Sequence, residues 1–586
     1  MRFHYNPAKY ICYFICAVAL LMLASCSATK YIPQGDALYT GATVKLKDSI
    51  SSKKEKKSLL TDLKKLPRPK PNSKLLGIPL KVLIYNMGGN PEKKSKIRNI
   101  FRKFGQPPVL LSSLNLEFNN KVIRNYLENV GYFKAEVSGD TVIKRKKAHA
   151  TYTVSPGHVY KIKEVQFVTD STPILKSIKL TEPGTFLKPG DPFNLDVIKG
   201  ERTRIDAILK EQGYYYFGPD LLVIDADSTI GDNKVNMYLK LKENTPYTAR
   251  KPYIIDDVFI YSNFRLNSAR VDTVKAGSQS YNGYFIIDRA NRFKQRLFPR
   301  ILRFDSGDVY NRKDHNLTLN RLINLDVFKF VKNRFEVSPQ TSKTDTGRLN
   351  AFYYLTPQPK KSLRAELSGN TKSNNYVGSL VRFSFRNRNT FRGAEQLEVH
   401  ANVGSEVQYS GTNSGFNSFR LGGGLSFSIP KFVVPFFRLN TTSAYVPRTR
   451  IALDYELLNR QKLYTLTSIR GELGYVWKPE VRKEHQFNPI AINYVEPLNI
   501  TQLYLDSIKR DLTLRQAVDT QFILGSNYTY TFDQLVNDRK ATGFFFSGNL
   551  DLSGNIAGLA TGANIKNGNQ KRIFGAPFSQ YIKTQV

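Results

Sequence analysis

At 586 residues and a mean hydropathy of −0.37, the chain is long enough for several cores and too polar for a bundle of membrane helices. Its 87 Lys and Arg against 48 Asp and Glu leave a net charge of +39, which in a cytosolic protein would point first to nucleic acid. The three cysteines, Cys12, Cys16 and Cys26, all precede residue 27, so neither a disulfide nor a thiolate metal site is expected in the body.

Arg2 and Lys9 precede an apolar run over 10–24, which reads as a signal peptide covering 1–25. The junction Leu23-Ala24-Ser25-Cys26 resembles a bacterial lipobox, which implies cleavage before Cys26 and lipidation there, by diacylglycerol and acyl chains such as palmitate. Burial of such chains favours the membrane by about 0.8 kcal/mol per CH₂. Export redirects the charge. The partners expected are outer-membrane lipid, lipopolysaccharide or acidic clients, and not nucleic acid. The runs Lys53-Lys54-Glu55-Lys56-Lys57 and Lys144-Arg145-Lys146-Lys147 read as solvated turns, and no basic helix with interleaved aromatics is expected.

Three copies of one pattern follow. In the first (26–157), a strand at 43–46 precedes a helix carrying Val122, Ile123, Tyr126, Leu127 and Val130; Gly131-Tyr132-Phe133 ends it, and strands at 133–137 and 149–154 pair. Its Lys- and Pro-rich insertion at 49–112 is expected to be an irregular basic loop with one short helix near 94–104. The second copy (158–246) has a strand at 160–168, a helix capped by Asn194 and stopped by Gly213-Tyr214-Tyr215, and strands at 220–224 and 234–241. The third (247–358) has a strand at 254–261, a helix with Leu317, Leu319, Leu322, Ile323 and Leu325, then Asp326-Val327-Phe328, and strands at 330–337 and 348–355. Strand, helices and a strand pair make a sheet covered by helices on one face, with an edge open to an extended client. The Gly-aromatic signals themselves read as helix stops beside a core aromatic.

From 359 to 586 helices are not expected and the period becomes two. Leu397, Val399, Ala401 and Val403 alternate with Gln396, Glu398, His400 and Asn402. Similar segments at 363–369, 377–386, 419–428, 450–457, 465–477, 487–495, 521–532, 544–552 and 579–586 make about ten strands of membrane-spanning length. Tyr376, Tyr464, Trp477, Tyr494 and Phe532 stand at strand ends as an interfacial girdle would require. Glu366, Arg382, Arg386, Glu398 and Arg470 are candidate lumen charges, and Leu421-Gly422-Gly423-Gly424 reads as a bend.

The lipobox, Thr29-Lys30-Tyr31-Ile32-Pro33, the three signals, Phe391-Arg392-Gly393-Ala394-Glu395, Gly474-Tyr475-Val476-Trp477-Lys478-Pro479 and Phe487-Asn488-Pro489 together resemble the BamA/TamA superfamily of outer-membrane insertases, in its lipoprotein, TamL-like branch. That resemblance implies an α+β arm of three POTRA-like β-α-α-β-β modules in the periplasm and a lipid-anchored outer-membrane barrel of sixteen antiparallel strands. About ten strands are legible, so the barrel is incomplete and the sequence is expected to be a C-terminally truncated form. Two departures fit this expectation. The family's late Arg-Gly-aromatic loop tip is missing, since Ile469-Arg470-Gly471-Glu472 lies mid-strand, and the chain stops within a strand at Val586. The implied clients are nascent outer-membrane proteins, and the implied partners extend to an inner-membrane-anchored TamB-like protein.

No enzyme chemistry or cofactor is expected. His4, His149, His158, His315, His400 and His485 lack metal-ligand spacing, and no nucleophile elbow or phosphate loop occurs. The alternatives to an assembly factor are a lipid-anchored passive channel and a soluble lipoprotein that binds envelope polymers.

Overall fold

The computed structural model of the chain describes residues 28–47, 52–75, 77–89, 96–168, 170–265, 277–339, 346–372, 376–408, 417–434, 443–535, 542–554, 572–573, 576–577 and 581–586. The signal peptide and Cys26 lie outside the described residues. Contacts divide the chain into two compact units, 1–209 with 217–246, and 210–216 with 247–586.

The first unit begins with strand β1 (Leu38–Leu46) and helices α1 (Lys53–Leu63), α2 (Leu80–Met87), α3 (Lys96–Phe104) and α4 (Leu116–Asn129). Strands β2 (Glu136–Lys144) and β3 (Lys147–Ser155) complete a sheet of order β1-β3-β2, with β1 parallel to β3. Asn115 caps α4 by accepting from the Phe118 amide at 2.9 Å, and Ile123 and Leu127 are fully buried beside Tyr152 and Val154. The basic run is indeed a turn: Arg145 and Lys146 adopt φ of 49° and 57°, the left-handed pair that a two-residue hairpin needs.

Three expectations fail in this copy. The insertion holds three helices instead of one, because α1 and α2 join α3, which falls at the expected 94–104. The α3 helix is also a basic helix with interleaved aromatics, Phe101 and Phe104 beside Arg102 and Lys103. Finally, Phe133 is not in a strand, since β2 starts only at Glu136.

Strands β4 (Lys161–Phe167), β5 (Leu222–Asp227) and β6 (Lys234–Leu241) form the second sheet in the order β4-β6-β5, with helices α5 (Pro173–Lys179) and α6 (Leu195–Glu211). Asn194 caps α6, accepting from the Asp196 amide at 2.8 Å. Glu201 on α6 is fully buried, and its carboxylate is held by Arg204 at 2.7 Å and by the Phe186 amide at 3.0 Å, so the charge keeps its hydrogen bonds.

The second unit holds the third sheet, of strands β7 (Tyr253–Tyr261), β8 (Gln279–Tyr281), β9 (Tyr284–Ile287), β10 (Phe328–Val337) and β11 (Gly347–Pro357) in the order β10-β11-β7-β9-β8. This copy departs from the three-stranded pattern. Its first helix is a 3-10 segment, Gln295–Arg300, and the β8–β9 hairpin covers the side of β7 that, on β1 and β4 in the other sheets, carries no further strand and only short bridges to Leu110 and Pro192. Helix α7 (Arg312–Asn324) starts at Asn311, which accepts from the Lys313 and Asp314 amides.

The ten-stranded antiparallel sheet follows in simple chain order: β12 (Lys361–Thr371), β13 (Tyr376–Asn387), β14 (Gln396–Gln408), β15 (Ser418–Ile429), β16 (Arg448–Arg460), β17 (Tyr464–Glu480), β18 (Lys483–Ile500), β19 (Gln521–Asp533), β20 (Phe545–Ser553) and a last strand. Short strands β21 (Arg572–Ile573) and β22 (Ala576–Pro577) pair separately, and β23 (Tyr581–Gln585) is the tenth strand. Among the described residues β12 and β23 each pair on one side only.

Helices do not stop after the third copy. Helix α8 (Gln502–Arg510) and the 3-10 segment Leu512–Ala517 cap the β18–β19 connection, and Tyr464 is buried there against Tyr504 at 5.0 Å instead of standing in a girdle. The run Gly422-Gly423-Gly424 makes no bulge, because its register with β14 and β16 is unbroken.

Candidate functional site

Gly131, Gly213 and Asp326 follow their helices at φ of 91°, 99° and 60°, the left-handed conformation that terminates a helix. Tyr132, Tyr214, Val327 and Phe328 are buried. Phe133 instead leaves its own sheet and packs on the second one, with ring centroids 4.8 Å from Tyr160 and 4.9 Å from Phe193. Tyr215, which belongs to the second unit, packs on Tyr310 at 4.9 Å and on Phe335 at 5.4 Å in the third sheet's core.

The main chain repeats this logic. The Gly131 carbonyl accepts from the Tyr160 amide at 2.8 Å, and the Gly213 carbonyl accepts from the Tyr253 amide at 2.9 Å. In the third copy the Val327 carbonyl accepts from the Gln358 amide at 2.8 Å, where the chain enters the large sheet. The first and third signals therefore link neighbouring sheets as well as stopping a helix. A Cβ at Gly131 would lie 2.9 Å from the Phe193 carbonyl oxygen, so glycine there serves both the turn and the close approach.

At the third joint the module is fastened to the sheet by polar groups. The C-terminal carbonyls of α7 lack intrahelical partners and carry the negative end of the helix dipole. Arg448, the first residue of β16, donates to the Asn324 carbonyl at 2.9 Å and the Leu325 carbonyl at 3.4 Å, and Gln396 donates to the Leu325 carbonyl at 3.2 Å. Arg321 on α7 is buried and reaches back, donating to the Ser443 carbonyl at 2.8 Å. Burial and the neighbouring Arg303 draw its guanidinium down to about 10, still charged at neutral pH. The Asp326 carboxylate lies 3.9 Å from Arg386, which also pairs with Glu398 at 2.8 Å.

A second contact comes from the β13–β14 turn, Phe391-Arg392-Gly393-Ala394-Glu395. Arg392 and Ala394 adopt φ of 69° and 62°, and Ala394 is buried within the third module's core. The Arg392 carbonyl accepts from the Lys294 amide at 2.7 Å, its guanidinium bonds Asn291, and Asn389 donates to the Arg292 carbonyl at 2.8 Å.

Register places all five candidate charges on one face of the large sheet. Glu366 is directly opposite Arg382, Arg386 is opposite Glu398, and Arg470 is opposite Asp454. Residues missed in the sequence join them: His400 reaches Asp454 at 3.4 Å and Arg420 reaches Glu456 at 3.6 Å. His400 and Asp454 sit on β14 and β16, with Gly424 of β15 between them in register, and a Cβ at Gly424 would collide with the Asp454 carboxylate. A glycine flanked by strands that each carry a polar residue in register was the available signal.

The opposite face carries Leu363, Leu367, Phe383, Val399, Val403, Leu421, Leu425, Ile451, Leu453, Ile469, Ile490, Leu550 and Leu552, all exposed. In water so wide an apolar surface would be a liability, whereas in a bilayer it is the required outer face. No described helix is long and apolar enough to cross a membrane, which says nothing of strands. Among the described residues no group of three His, Cys, Asp or Glu side chains is placed to hold a metal ion.

No family model matches the chain, and no curated protein matches it. Similar solved structures include BamA from Haemophilus ducreyi lacking POTRA domains 1–3, at 12% identity over 67% of this chain and 64% of that one, with a TM-score of 0.39. CdiB from Acinetobacter baumannii is similar at 10% identity over 67% of this chain and 61% of that one, with a TM-score of 0.33. POTRA domains 3–5 of Haemophilus influenzae BamA are similar at 17% identity over 55% of this chain and 99% of that fragment, with a TM-score of 0.27. The chain thus spans less than two thirds of the Haemophilus ducreyi BamA and Acinetobacter baumannii CdiB structures. At TM-scores this low, the architecture is read from the chain's own sheets: an arm of α+β modules joined to an antiparallel sheet with one apolar and one charged face.

Proposed function

We propose that this protein is an outer-membrane protein assembly factor of the BamA/TamA superfamily, in its lipoprotein branch. Its three modules act as POTRA domains in the periplasm, Cys26 carries the lipid, and the large sheet lies in the outer membrane. The observation that carries the reading is the two-faced ten-stranded sheet fastened to the third module at Arg448 and Asp326. A passive channel would need the sheet but gives no reason for an arm of jointed modules.

Clients are nascent outer-membrane proteins, received in extended form on the outer sides of β1 and β4 beyond their short bridges to Leu110 and Pro192, where an added strand satisfies main-chain groups. The third sheet is a poorer docking edge on the β7 side, since its own hairpin already occupies that position. The sheet then eases insertion by local opening, with no cofactor and no covalent chemistry, and a TamB-like inner-membrane protein is the partner that would supply clients. Depletion followed by quantitative outer-membrane proteomics tests this reading. Loss of folded barrel proteins is expected, and unchanged levels and folding would sink it.

A further inference from the structure

The α2–α3 hairpin is an addition that the first module's core does not need. Ile100 and Phe104 stand one turn apart on one face of α3, and are 54% and 72% exposed. Asn72 donates to the Pro107 carbonyl at 2.8 Å, tying the exposed segment with Leu75 and Ile78 to the C-terminal end of α3. The segment that carries them is one-sided in charge: residues 52–108 contain sixteen Lys and Arg against three Asp and Glu. Apolar anchors on a short helix amid cations suit neither a solvated face nor an acidic soluble partner alone, but they match an anionic bilayer surface.

The N-terminal chain gives the same direction. Asn86, buried on α2, donates to the Ala28 carbonyl at 3.4 Å. Cys26 is two residues earlier, and two residues reach at most about 7 Å. If Cys26 is lipidated, as in the reading above on which this step rests, the hairpin cannot stand far from the headgroups.

We infer that the α2–α3 hairpin docks on an anionic lipid surface, with Ile100 and Phe104 entering the acyl boundary and the exposed Lys103 and Lys81 lying among headgroup phosphates. Contact at this site would hold the first module flat against the membrane, a second attachment besides the lipid.

The test uses the full-length lipidated chain carrying Ile100→Cys or Phe104→Cys, labelled with an environment-sensitive fluorophore and reconstituted into vesicles with brominated acyl chains. Blue-shifted emission and several-fold stronger quenching are expected in vesicles containing phosphatidylglycerol relative to phosphatidylcholine alone, with loss of the difference at high salt. A label at Glu117→Cys should stay aqueous in both. Aqueous emission at positions 100 and 104 in both vesicle types, or a shift that appears only when another protein is added, overturns the proposal. Incorporation of labelled palmitate, and its loss in Cys26→Ser, reports the anchor separately. Failure of acylation and failure of helix docking are therefore distinguishable.

Discussion

Arg448 donates from its guanidinium to the Asn324 carbonyl at 2.9 Å, so the first residue of a sheet strand caps the last residue of a module helix. The pairing places a cation at the negative end of α7 and satisfies carbonyls that the helix itself cannot. It is the clearest mechanical link between arm and sheet.

Replacing Arg448 with Met keeps much of the stem but removes the charged donors. A loss of about 1.5–3 kcal/mol is expected for a hydrogen bond to a charged group. Hydrogen exchange should speed up at the amides of 324–328 while those of the first module remain unchanged.

Asp326 separates two effects at one position. Asp326→Gly keeps the left-handed turn and loses a partly exposed carboxylate that faces Arg386 and accepts a 3.4 Å hydrogen bond from the Gln358 side chain, so a change of about 1 kcal/mol is expected. Asp326→Ala loses the same carboxylate and forces a Cβ into that turn without the local hydrogen bonding Asp can offer, a further cost of about 1 kcal/mol. Urea unfolding of both variants should rank Ala below Gly.

The glycines of the large sheet are not equivalent. Gly525→Ala places a methyl group against the Leu552 carbonyl oxygen and 2.8 Å from Ser553 Cα, backbone atoms that cannot turn aside as a side chain can, and overpacking of this kind costs about 1–3 kcal/mol. Gly471 has open space around a Cβ, and Gly471→Ala should stay within about 0.5 kcal/mol. Thermal unfolding of the sheet in detergent micelles distinguishes the two.

Much of this arrangement was legible in the residues. Alternation at Leu397 to Val403 located β14, and Asp326-Val327-Phe328 marked the end of the third module's helix. The partners at its junction with the sheet were not legible, because Arg448 and Gln396 lie 122 and 70 positions downstream of Asp326 in the numbering and nothing local distinguishes them from other strand residues. Phe133 was misplaced because an aromatic after a helix stop looks alike whether it enters its own sheet or the next. The Lys- and Pro-rich insertion hid two of its three helices: α3 falls where a short helix was expected near 94–104, but α1 lies in a lysine run that read as a solvated turn, and α2 is short and follows the prolines Pro67, Pro69, Pro71 and Pro79.

His315 gives the third module an acid limit. Its ring lies beside Tyr310, bonds Asn333, and is held below the ordinary value of 6.5 chiefly by burial. The unfolded imidazole binds a proton first as pH falls, so stability is complete above 6.5 and declines below it until the folded ring also protonates, at no more than about 1.4 kcal/mol per pH unit. His315→Gln should flatten the pH dependence of unfolding in that window.

The most direct measurement of the central claim is the folding of an unfolded outer-membrane barrel protein added to liposomes with or without the reconstituted full-length chain. Faster client folding with the chain present, reduced when Arg448 is replaced by Met, is the expected result. Equal folding rates in empty and loaded liposomes would contradict an assembly function.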